Sequence, residues 1–359
     1  MRTGISLYPG LIAYDRPYKD IIQEAAASGV SRIFTSLHIP ESNPASLRKE
    51  LHNLLTSARD AHMDVIADIS PTTCQILDMS VLDPSSLQDL GITTARLDFG
   101  FTVEQTALWS RFMAIQLNAS TVRPAYIAAL RNGGADFSHI DSLHNFYPRP
   151  DTGLSEAFLM KQTDWLHACG IRVGAFVPSR SDRRGPLYEG LPTLEAHRHI
   201  PTSTAVRQLA ALGLDSIFIG DGKAGREDYE ALQEAGKDVI VLHAQLLTQD
   251  WHIQDILSHT FTSRPDGAAA VIRAQESRQL FKTYPVQADA ALCHDRHCGD
   301  VTVDTTDFLR YMGELQIILQ DLPKEKRTNI VARIIPEDLC LLPYITPGRK
   351  FRFHFVRSL

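Results

Sequence analysis

The strongest constraint on the fold is a regular alternation of short apolar, β-rich runs with amphipathic stretches between residues 4 and 220. The apolar runs are predicted strands, at residues 4–8, 31–37, 64–69, 95–99, 112–118, 138–144, 171–177 and 215–220. The stretches with apolar residues at helical spacing are predicted helices, at residues 17–29, 44–62, 156–170 and 203–213. Strict β-α alternation over eight strands favours an α/β fold, a TIM (β/α)8 barrel. An open doubly wound sheet is the alternative, but no glycine-rich dinucleotide motif follows the first strand.

The pattern changes near residue 237. The remaining sequence holds short strand-like runs with turns and little helix, namely "KDVIVLHAQLL", "AAAVIRAQ", "GDVTVDTTDF", "ELQIILQDL", "TNIVARII" and "KFRFHFV". A chain of 359 residues is also longer than a single core usually supports. We therefore predict a catalytic barrel domain at residues 1–236 and a smaller β domain at residues 237–359.

Composition excludes several classes of protein. A formal net charge of −6 argues against a nucleic-acid-binding protein, which usually presents a basic face. No apolar run approaches the roughly 18 residues of a membrane span, and "MRTGISLYPG" at the start lacks the apolar region of a signal peptide. Five scattered cysteines do not form a disulfide framework. The expectation is a cytoplasmic protein without a membrane or nucleic-acid partner, with a homo-oligomer left open.

Polar side chains are concentrated where the predicted strands end. In a TIM barrel these positions and the loops after them carry catalysis. The residues concerned are Tyr8, Ser36, His38, Glu41, Asp68, Ser70, Arg96, Asp98, Asn118, Ser120, His144, Asn145, Tyr147, Arg149 and Asp221. Four of them, from His144 to Arg149, belong to the single stretch "HNFYPR", an unusual density of directional hydrogen-bonding groups for a solvated loop.

Some of these residues have ordinary alternatives. A strand-end aspartate is often the N-cap of the next helix, which is an open option for Asp221 before "GKAGREDYE". Asp98 is followed by "FGF" and not by a helix start, which favours a chemical role. Glu41 lies between a proline and "SNP" and could be a turn residue, and His38 could be a core histidine.

The loop after the seventh predicted strand, "SRSDRRGPLYEGLPTLEAHR" at 179–198, is equally dense. Its polar and aromatic residues are Arg183, Arg184, Tyr188, Glu189, Glu195, His197 and Arg198. Loops of this length in compact domains are usually functional or disordered, and the embedded turns and apolar residues favour order. Arginines in an acidic protein suggest an anionic ligand, because the guanidinium fork matches carboxylate and phosphate. A solvated surface loop is the alternative.

Two further motifs are weak. "CHDRHC" at 293–298 has metal-binding side chains but no standard zinc spacing, so no metal and no other cofactor are predicted. "GDGKAG" at 220–225 lacks the spacing of a P-loop, although an anion site after the eighth strand is common in barrels.

Taken together, several strings resemble one family. They occur in order along the whole chain and read "GISLYPG", "RIFTSLHIPE", "RLDFGF", "LNAS", "LHNFYPRPDTGL", "RGPLYEGLPTLEAHR", "GDVTVD", "YMGELQI" and "FRF". They closely resemble the bacterial 6-phospho-N-acetylmuramidases, once labelled outer surface proteins. The resemblance implies a TIM barrel followed by a cyclophilin-like β domain. It also implies intracellular hydrolysis of the β-1,4 bond in N-acetylmuramic acid 6-phosphate–N-acetylglucosamine, a recycled cell-wall disaccharide. Thr305 departs from the family string, which is expected to read closer to "DN" there.

The resemblance does not identify the catalytic pair. Glycoside hydrolysis normally needs one carboxylic acid and one carboxylate. Asp98 and Glu41 are the first choices, with Asp68 and Glu195 in reserve. Tyr8 and Tyr147 are expected to contact sugar rings. The other predicted binding residues are Ser36, His38, Arg96, Asn118, His144, Asn145, Arg149, Arg184, Glu189, His197 and Arg198.

Three expectations complete the prediction. Arg149, Arg183, Arg184 and Arg198 are expected to converge on the phosphate. Glu314, in the β domain, is expected to reach the barrel pocket, with a strand ion pair as the alternative. The competing functions are a metal-dependent sugar-phosphate isomerase or epimerase and a sugar-phosphate-binding protein without catalysis.

Overall fold

The structure is a computed structural model with two compact units, Met1–Ala235 and Gly236–Leu359. The residues that it does not describe are His38, Pro40, Glu41, Asp98, Lys237 and 357–359, together with the side chains of Pro44 and Ala45. The first unit is rich in helices and parallel strands, and the second is rich in β structure.

The first unit is a closed eight-stranded barrel, which confirms the predicted fold. Its strands are β1 Arg2–Ser6, β2 Arg32–Ser36, β3 Asp64–Ile69, β4 Thr94–Leu97, β5 Ala114–Asn118, β6 Ile140–Leu143, β7 Arg172–Val177 and β8 Ser216–Ile219. Neighbours along the sequence pair in parallel, and β1 closes the barrel by pairing with β8, with Gly4 opposite Phe218. All carboxyl ends of the strands therefore lie at one mouth.

Helices separate most of the barrel strands. They are α1 Tyr18–Ala27, α2 Pro44–Asp60, α3 Thr73–Leu77, α4 Pro84–Leu90, α5 Val103–Trp109, α6 Pro124–Asn132, α7 Glu156–Ala168, α8 Thr202–Ala211 and α9 Arg226–Gln233. The four predicted helices correspond to α1, α2, α7 and α8. The sequence prediction missed α3, α4, α5, α6 and α9. Asp83 caps α4 by accepting a hydrogen bond from the Ser86 N–H at 2.8 Å. The sequence signal for the start of α4 was an aspartate followed by a proline, with a serine three residues after the aspartate.

An aromatic cluster fills the barrel. It comprises Tyr8, Phe34, Ile66, Leu143, Phe176 and Phe218. The Phe218 ring lies against Gly4, where an added Cβ would be 2.2 Å from two ring carbons. A larger residue at Gly4 would therefore displace the ring. A separate buried polar group stabilises the interior, in which Arg32 and Gln116 both donate hydrogen bonds to Asp141.

The second unit confirms the predicted small β domain. Its strands are β9 Val239–Leu246, β10 Thr260–Thr262, β11 Val271–Arg273, β12 Asp300–Asp304, β13 Leu315–Ile318, β14 Thr328–Ile334 and β15 Lys350–Phe355. They form one mixed sheet in the order β10-β15-β9-β14-β12-β13-β11, with short helices α10 Trp251–Leu257 and α11 Ser277–Leu280. The sheet curls, and a bridge between Ser263 and Ala274 joins the ends of its two edge strands. The prediction missed only β10 among the seven strands.

Within the described part of the chain, no helix is both long and apolar enough to cross a membrane. The five cysteines are free thiols.

Candidate active site at the mouth of the barrel

A short polar chain lies where β3 and β4 end. Asp68 and Arg96 are opposite each other in the register of the two strands. The Arg96 Nη1 lies 3.2 Å from the Asp68 Oδ1, and the Arg96 Nη2 donates to the Asn145 Oδ1 at 2.6 Å. Asp68 and Arg96 are only 8% and 3% exposed. The guanidinium thus places a positive charge directly beside the Asp68 carboxyl at the mouth.

A second group of hydrogen bonds orients Asn145. Its backbone N–H donates to the Ser120 Oγ at 3.0 Å, and the Ser120 N–H donates to the Asn118 Oδ1 at 3.1 Å. The Ser120 Oγ is 3.1 Å from the His144 Nδ1. Burial, helped by the positive charge of Arg96, lowers the pKa of His144 to about 3. His144 is therefore a neutral, fully buried support for this loop and not a titrating group.

The first-choice catalytic residues, Asp98 and Glu41, lie outside the described residues, as does His38. Their roles stay predictions. In the sequence, Asp98 comes two residues after Arg96, and Glu41 belongs to the loop after β2. Ser36, at the end of β2, is buried and opposite Asp68 in the strand register.

Arg198 and Glu195 join the loop after β6 to the loop after β7. Arg198 is 1% exposed, and its Nε and Nη2 donate to the two carboxylate oxygens of Glu195 at 2.6 and 2.7 Å. The carbonyls that accept its other hydrogen bonds belong to Glu189, Gly190, Tyr147 and Arg149. The contacts argue against the predicted phosphate-binding role of Arg198, because every guanidinium nitrogen already has a protein acceptor.

Glu195 also accepts hydrogen bonds from the backbone N–H groups of Asp151 and Gly153, at 3.0 and 2.7 Å. The hydrogen bonds from Arg198, with these backbone N–H groups, lower its pKa to about 2. A carboxylate so fully bonded is a poor proton donor. The geometry therefore gives Glu195 a structural position, which argues against its reserve role in catalysis.

Phe146, which the sequence prediction missed, is partly buried and packs against the core cluster of the barrel. Its ring makes edge contacts with Tyr8, Phe34 and Phe176, at centroid distances of 6.5, 6.2 and 5.1 Å. An apolar residue inside the polar string "HNFYPR" was the available signal. Tyr8 is fully buried beside it, and its hydroxyl donates to the Gly220 carbonyl at 2.7 Å. Burial raises the pKa of Tyr8 to about 12.

A cleft of about 540 Å³ opens between the loops that follow β7 and β8. Its charged lining residues are Asp182, Arg183, Arg184 and Lys223. The Arg184 guanidinium lies over the rings of Tyr8 and Phe146, 4.5 and 5.1 Å from their centroids. Lys223 is paired with Asp182 at 3.3 Å. The cleft thus carries more positive than negative charge.

Asp221 holds the backbone of the loop after β7, which lines the cleft. Its carboxylate accepts hydrogen bonds from the backbone N–H groups of Arg184, Ser179 and Leu191, at 2.8, 2.9 and 3.3 Å. It is completely buried, and burial raises its pKa. The structure therefore gives Asp221 a loop-anchoring position and not the N-cap position, which Gly225 occupies at α9.

The other predicted binding residues are dispersed. Arg149 is exposed, and the Tyr147 N–H donates to the Pro192 carbonyl at 2.9 Å. His197 is buried against the Gln208 Oε1 at 3.1 Å, and burial lowers its pKa to about 4. Glu189 lies 3.9 Å from Arg183. Only part of the predicted set therefore faces the cleft.

Glu314 is buried in the second unit, 3.9 Å from the Arg273 guanidinium. Its predicted role in the barrel pocket stays a prediction. Among the described residues, no three His, Cys, Asp and Glu side chains are grouped to hold a metal ion.

Comparisons with known proteins identify relatives for both units. Residues 3–234 match the family described as "6-phospho-N-acetylmuramidase, N-terminal", and residues 240–354 match "6-phospho-N-acetylmuramidase, C-terminal". No curated protein matches the chain. Among solved structures, an uncharacterized B. cereus protein has a TM-score of 0.87 at 29% identity, over 98% of this chain and 99% of that chain. A conserved Enterococcus faecalis protein of unknown function has a TM-score of 0.75 at 33% identity, over 99% and 96%.

Proposed function

This chain belongs to the 6-phospho-N-acetylmuramidase family, and on that premise we propose that it is a glycosidase acting on a phosphorylated amino-sugar disaccharide. The proposed reaction is hydrolysis of the β-1,4 bond between N-acetylmuramic acid 6-phosphate and N-acetylglucosamine, in cytoplasmic recycling of peptidoglycan. The barrel unit would carry the chemistry, since catalytic residues of TIM barrels lie at the carboxyl ends of the strands.

One observation supports this proposal above all, the buried ion pair of Asp68 and Arg96 at the barrel mouth, with its 3.2 Å contact. Glycosidases need a carboxylate beside the anomeric carbon, because positive charge develops there in the oxocarbenium-like transition state. Asp68 would supply a carboxyl group beside a guanidinium in a largely desolvated position, where electrostatic stabilisation is strong. It fits the base, nucleophile or charge-stabilising role.

The second carboxyl would come from Asp98 or Glu41, the predicted pair. One of them would protonate the leaving oxygen, which requires a carboxyl that keeps its proton at neutral pH. Asp98 is the stronger choice for a partner of Asp68, since it follows Arg96 by two residues in the sequence. The family resemblance covers the strings that contain Glu41 and Asp98.

Amide side chains would recognise the sugar. The Asn145 Oδ1 accepts from Arg96, which leaves its amide N–H groups to donate. An amide donor suits a sugar hydroxyl or the carbonyl of an acetamido group. Because Arg96 contacts both Asp68 and Asn145, one residue aligns the proposed reacting carboxylate with the proposed sugar contact.

The test is incubation of the purified full chain with the phosphorylated disaccharide in ¹⁸O-labelled water, followed by mass spectrometry. We expect N-acetylglucosamine and N-acetylmuramic acid 6-phosphate, with one ¹⁸O in the latter sugar because water attacks its anomeric carbon. Cleavage should persist in a chelator. Binding without cleavage would support the non-catalytic alternative, and a chelator-sensitive isomer of unchanged mass would support the isomerase.

A further inference from the structure

Arg184 is an unusual arginine for this molecule. Its guanidinium lies over the Tyr8 and Phe146 rings, at 4.5 and 5.1 Å, and its Nε and Nη1 are buried without a hydrogen-bond partner among the described residues. No described carboxylate makes an ion pair with it. Leaving a buried charge without a hydrogen-bonding partner is costly. Such an arrangement is expected where a ligand supplies the missing acceptor.

The surroundings keep this guanidinium in place. The Asp221 carboxylate holds the Arg184 backbone through its N–H at 2.8 Å, and the same carboxylate binds the backbone on either side, at Ser179 and Leu191. The two aromatic rings hold the guanidinium by cation–π contacts, which do not use its in-plane N–H groups as hydrogen-bond donors. The donor is therefore preorganised, and Asp221 acts as a positioning residue.

A second cation, Lys223, also lines the cleft. Lys223 follows β8 in the string "GDGKAG", and its ammonium is 3.3 Å from the partly exposed Asp182 carboxylate. Gly222 lies against Tyr8 and Ile12, where an added Cβ would be 3.0 and 2.1 Å from their side chains. Because Gly222 has no side chain, its backbone can lie close to Tyr8 and Ile12 in the lining of the cleft. Loops after the seventh and eighth strands are the common phosphate-binding position in TIM barrels.

We propose that the cleft between the β7 and β8 loops binds a phosphomonoester, with the Arg184 guanidinium as its fixed two-point donor and the Lys223 ammonium as its second cation. A phosphate offers three terminal oxygens, enough to accept from both groups at once. The assignment rests on the proposed function only for the identity of the sugar. It removes two arginines from the four that were expected to bind the phosphate, because Arg198 is fully bonded within the protein and Arg149 is exposed.

The test measures binding and not turnover. N-acetylglucosamine 6-phosphate carries the phosphate without a lactyl group, and N-acetylmuramic acid carries the lactyl carboxylate without a phosphate. Titration calorimetry with the full chain should give at least about tenfold tighter binding of the phosphate probe. Arg184→Met should abolish that preference, and Lys223→Gln should reduce it. The matched control is Arg226→Gln, since Arg226 is 88% exposed on α9 and paired with Glu230 of the same helix.

Thermal unfolding without ligand separates a binding role from a packing role. Arg184→Met keeps an unbranched chain over the rings and removes an uncompensated charge, so its Tm should equal or exceed that of the wild type. Unchanged phosphate binding in Arg184→Met would overturn the assignment. Loss of binding to the lactyl probe with phosphate binding retained would make this a carboxylate site and would overturn it too. Phosphate binding without disaccharide cleavage would leave the site intact and refute the glycosidase proposal.

Discussion

The Arg198 guanidinium meets the Glu195 carboxylate at two points, with the Nε 2.6 Å from Oε1 and the Nη2 2.7 Å from Oε2. The pair is three residues apart in the sequence, yet several of its other hydrogen bonds reach backbone groups of the loop after β6. It therefore fixes the loop after β6 relative to the loop after β7. We therefore expect that loss of this ion pair lowers the free energy of unfolding more than it changes the catalytic rate.

The first prediction concerns the pH dependence of this pair. The pKa of Glu195 is lowered from its ordinary value near 4.5 to about 2. Because the folded state holds the proton less tightly than the unfolded state, the stabilisation is present above pH 4.5 and is lost as the pH falls towards 2. Glu195→Gln should lower the free energy of unfolding by about 2 kcal/mol at pH 7.

Urea unfolding at several pH values checks it. The difference between wild type and Glu195→Gln should shrink as the pH falls through the window from 4.5 to 2. A difference that is constant with pH would show that the carboxylate charge is not what stabilises the loops. Glu227→Gln, at an exposed position on α9, is the control and should unfold like the wild type.

The second prediction concerns the carboxylates. Asp68→Asn, Asp98→Asn and Glu41→Gln should each lower kcat by at least about a hundredfold, as expected for a lost acid, base or nucleophile. Steady-state kinetics on the phosphorylated disaccharide gives the rates, and circular dichroism reports whether the barrel is folded. Asp89→Asn, exposed at the end of α4, should leave kcat unchanged. Near-wild-type turnover in any of the three variants would remove that residue from the catalytic set.

The third prediction is that substitutions at Arg184 and Arg149 have different effects on kcat/KM. Hydrogen bonds to a charged group contribute roughly 1.5–3 kcal/mol each, so losing the two from Arg184 should cost at least about a hundredfold. Arg184→Lys should lose nearly as much kcat/KM as a neutral substitution at this position, because an ammonium cannot reproduce the planar fork of the guanidinium. Arg149→Gln should stay within about threefold of the wild type, since Arg149 is exposed.

The same assay compares substrates. The plain disaccharide should be cleaved at least about a hundredfold less efficiently than the phosphorylated one, and that ratio should collapse in Arg184→Gln. A ratio that persists in Arg184→Gln but disappears in Arg149→Gln would assign the phosphate to the loop after β6 instead.

The fourth prediction concerns the second unit. Burial, together with the negative charge of Glu314, raises the pKa of Asp304 from 3.8 to about 7, although the Thr328 hydroxyl donates to it at 3.0 Å. Here the folded state binds the proton more tightly than the unfolded state. Stability of this unit should therefore fall as the pH rises from 3.8 to 7 and then level off.

Hydrogen exchange of peptides from β12 and β14, at pH 5 and pH 8, measures this effect locally after correction for the intrinsic rate. Asp304→Asn keeps an acceptor for Thr328 but cannot ionise, so protection in that variant should no longer depend on pH. Equal pH dependence in wild type and variant would place the titrating group elsewhere.

The fifth prediction tests the packing of the barrel. Gly4→Ala would force the Phe218 ring to move, at a cost of about 1–3 kcal/mol in the free energy of unfolding. Phe218→Leu should relieve part of that cost, so the double variant should be more stable than the sum of the two single changes predicts. Denaturant unfolding of the four proteins gives the coupling energy. Strict additivity would mean that the ring does not limit the space at Gly4.

Sequence reasoning predicted the barrel strands because each strand is short, apolar and separated from the next by a helix or a turn. That alternation records burial directly, and burial decides which segments become strands of a closed barrel. The same logic predicted six of the seven strands of the second sheet. It missed β10, Thr260–Thr262, which has a single buried residue and therefore little periodicity to detect.

The site was predictable only in part. Its polar residues were recognisable because strand ends in a barrel converge on one mouth, and Asp68, Arg96 and Asn145 do converge there. Phe146 was overlooked among polar neighbours, although its ring packs against the core cluster of the barrel.

What the sequence determined by itself is the order of the elements, the barrel and the polar loops that follow its strands. Only the tertiary structure distinguished the environments of two arginines in the loop after β7. Arg184 and Arg198 have the same side chain. Arg184 lies over Tyr8 and Phe146, and its buried Nε and Nη1 have no hydrogen-bond partner among the described residues, whereas Arg198 is enclosed by Glu195 and backbone carbonyls. The difference comes from residues as distant in the chain as Tyr8 and Asp221. A guanidinium binds a ligand only when the protein leaves its donors free, and that depends on how distant segments pack together.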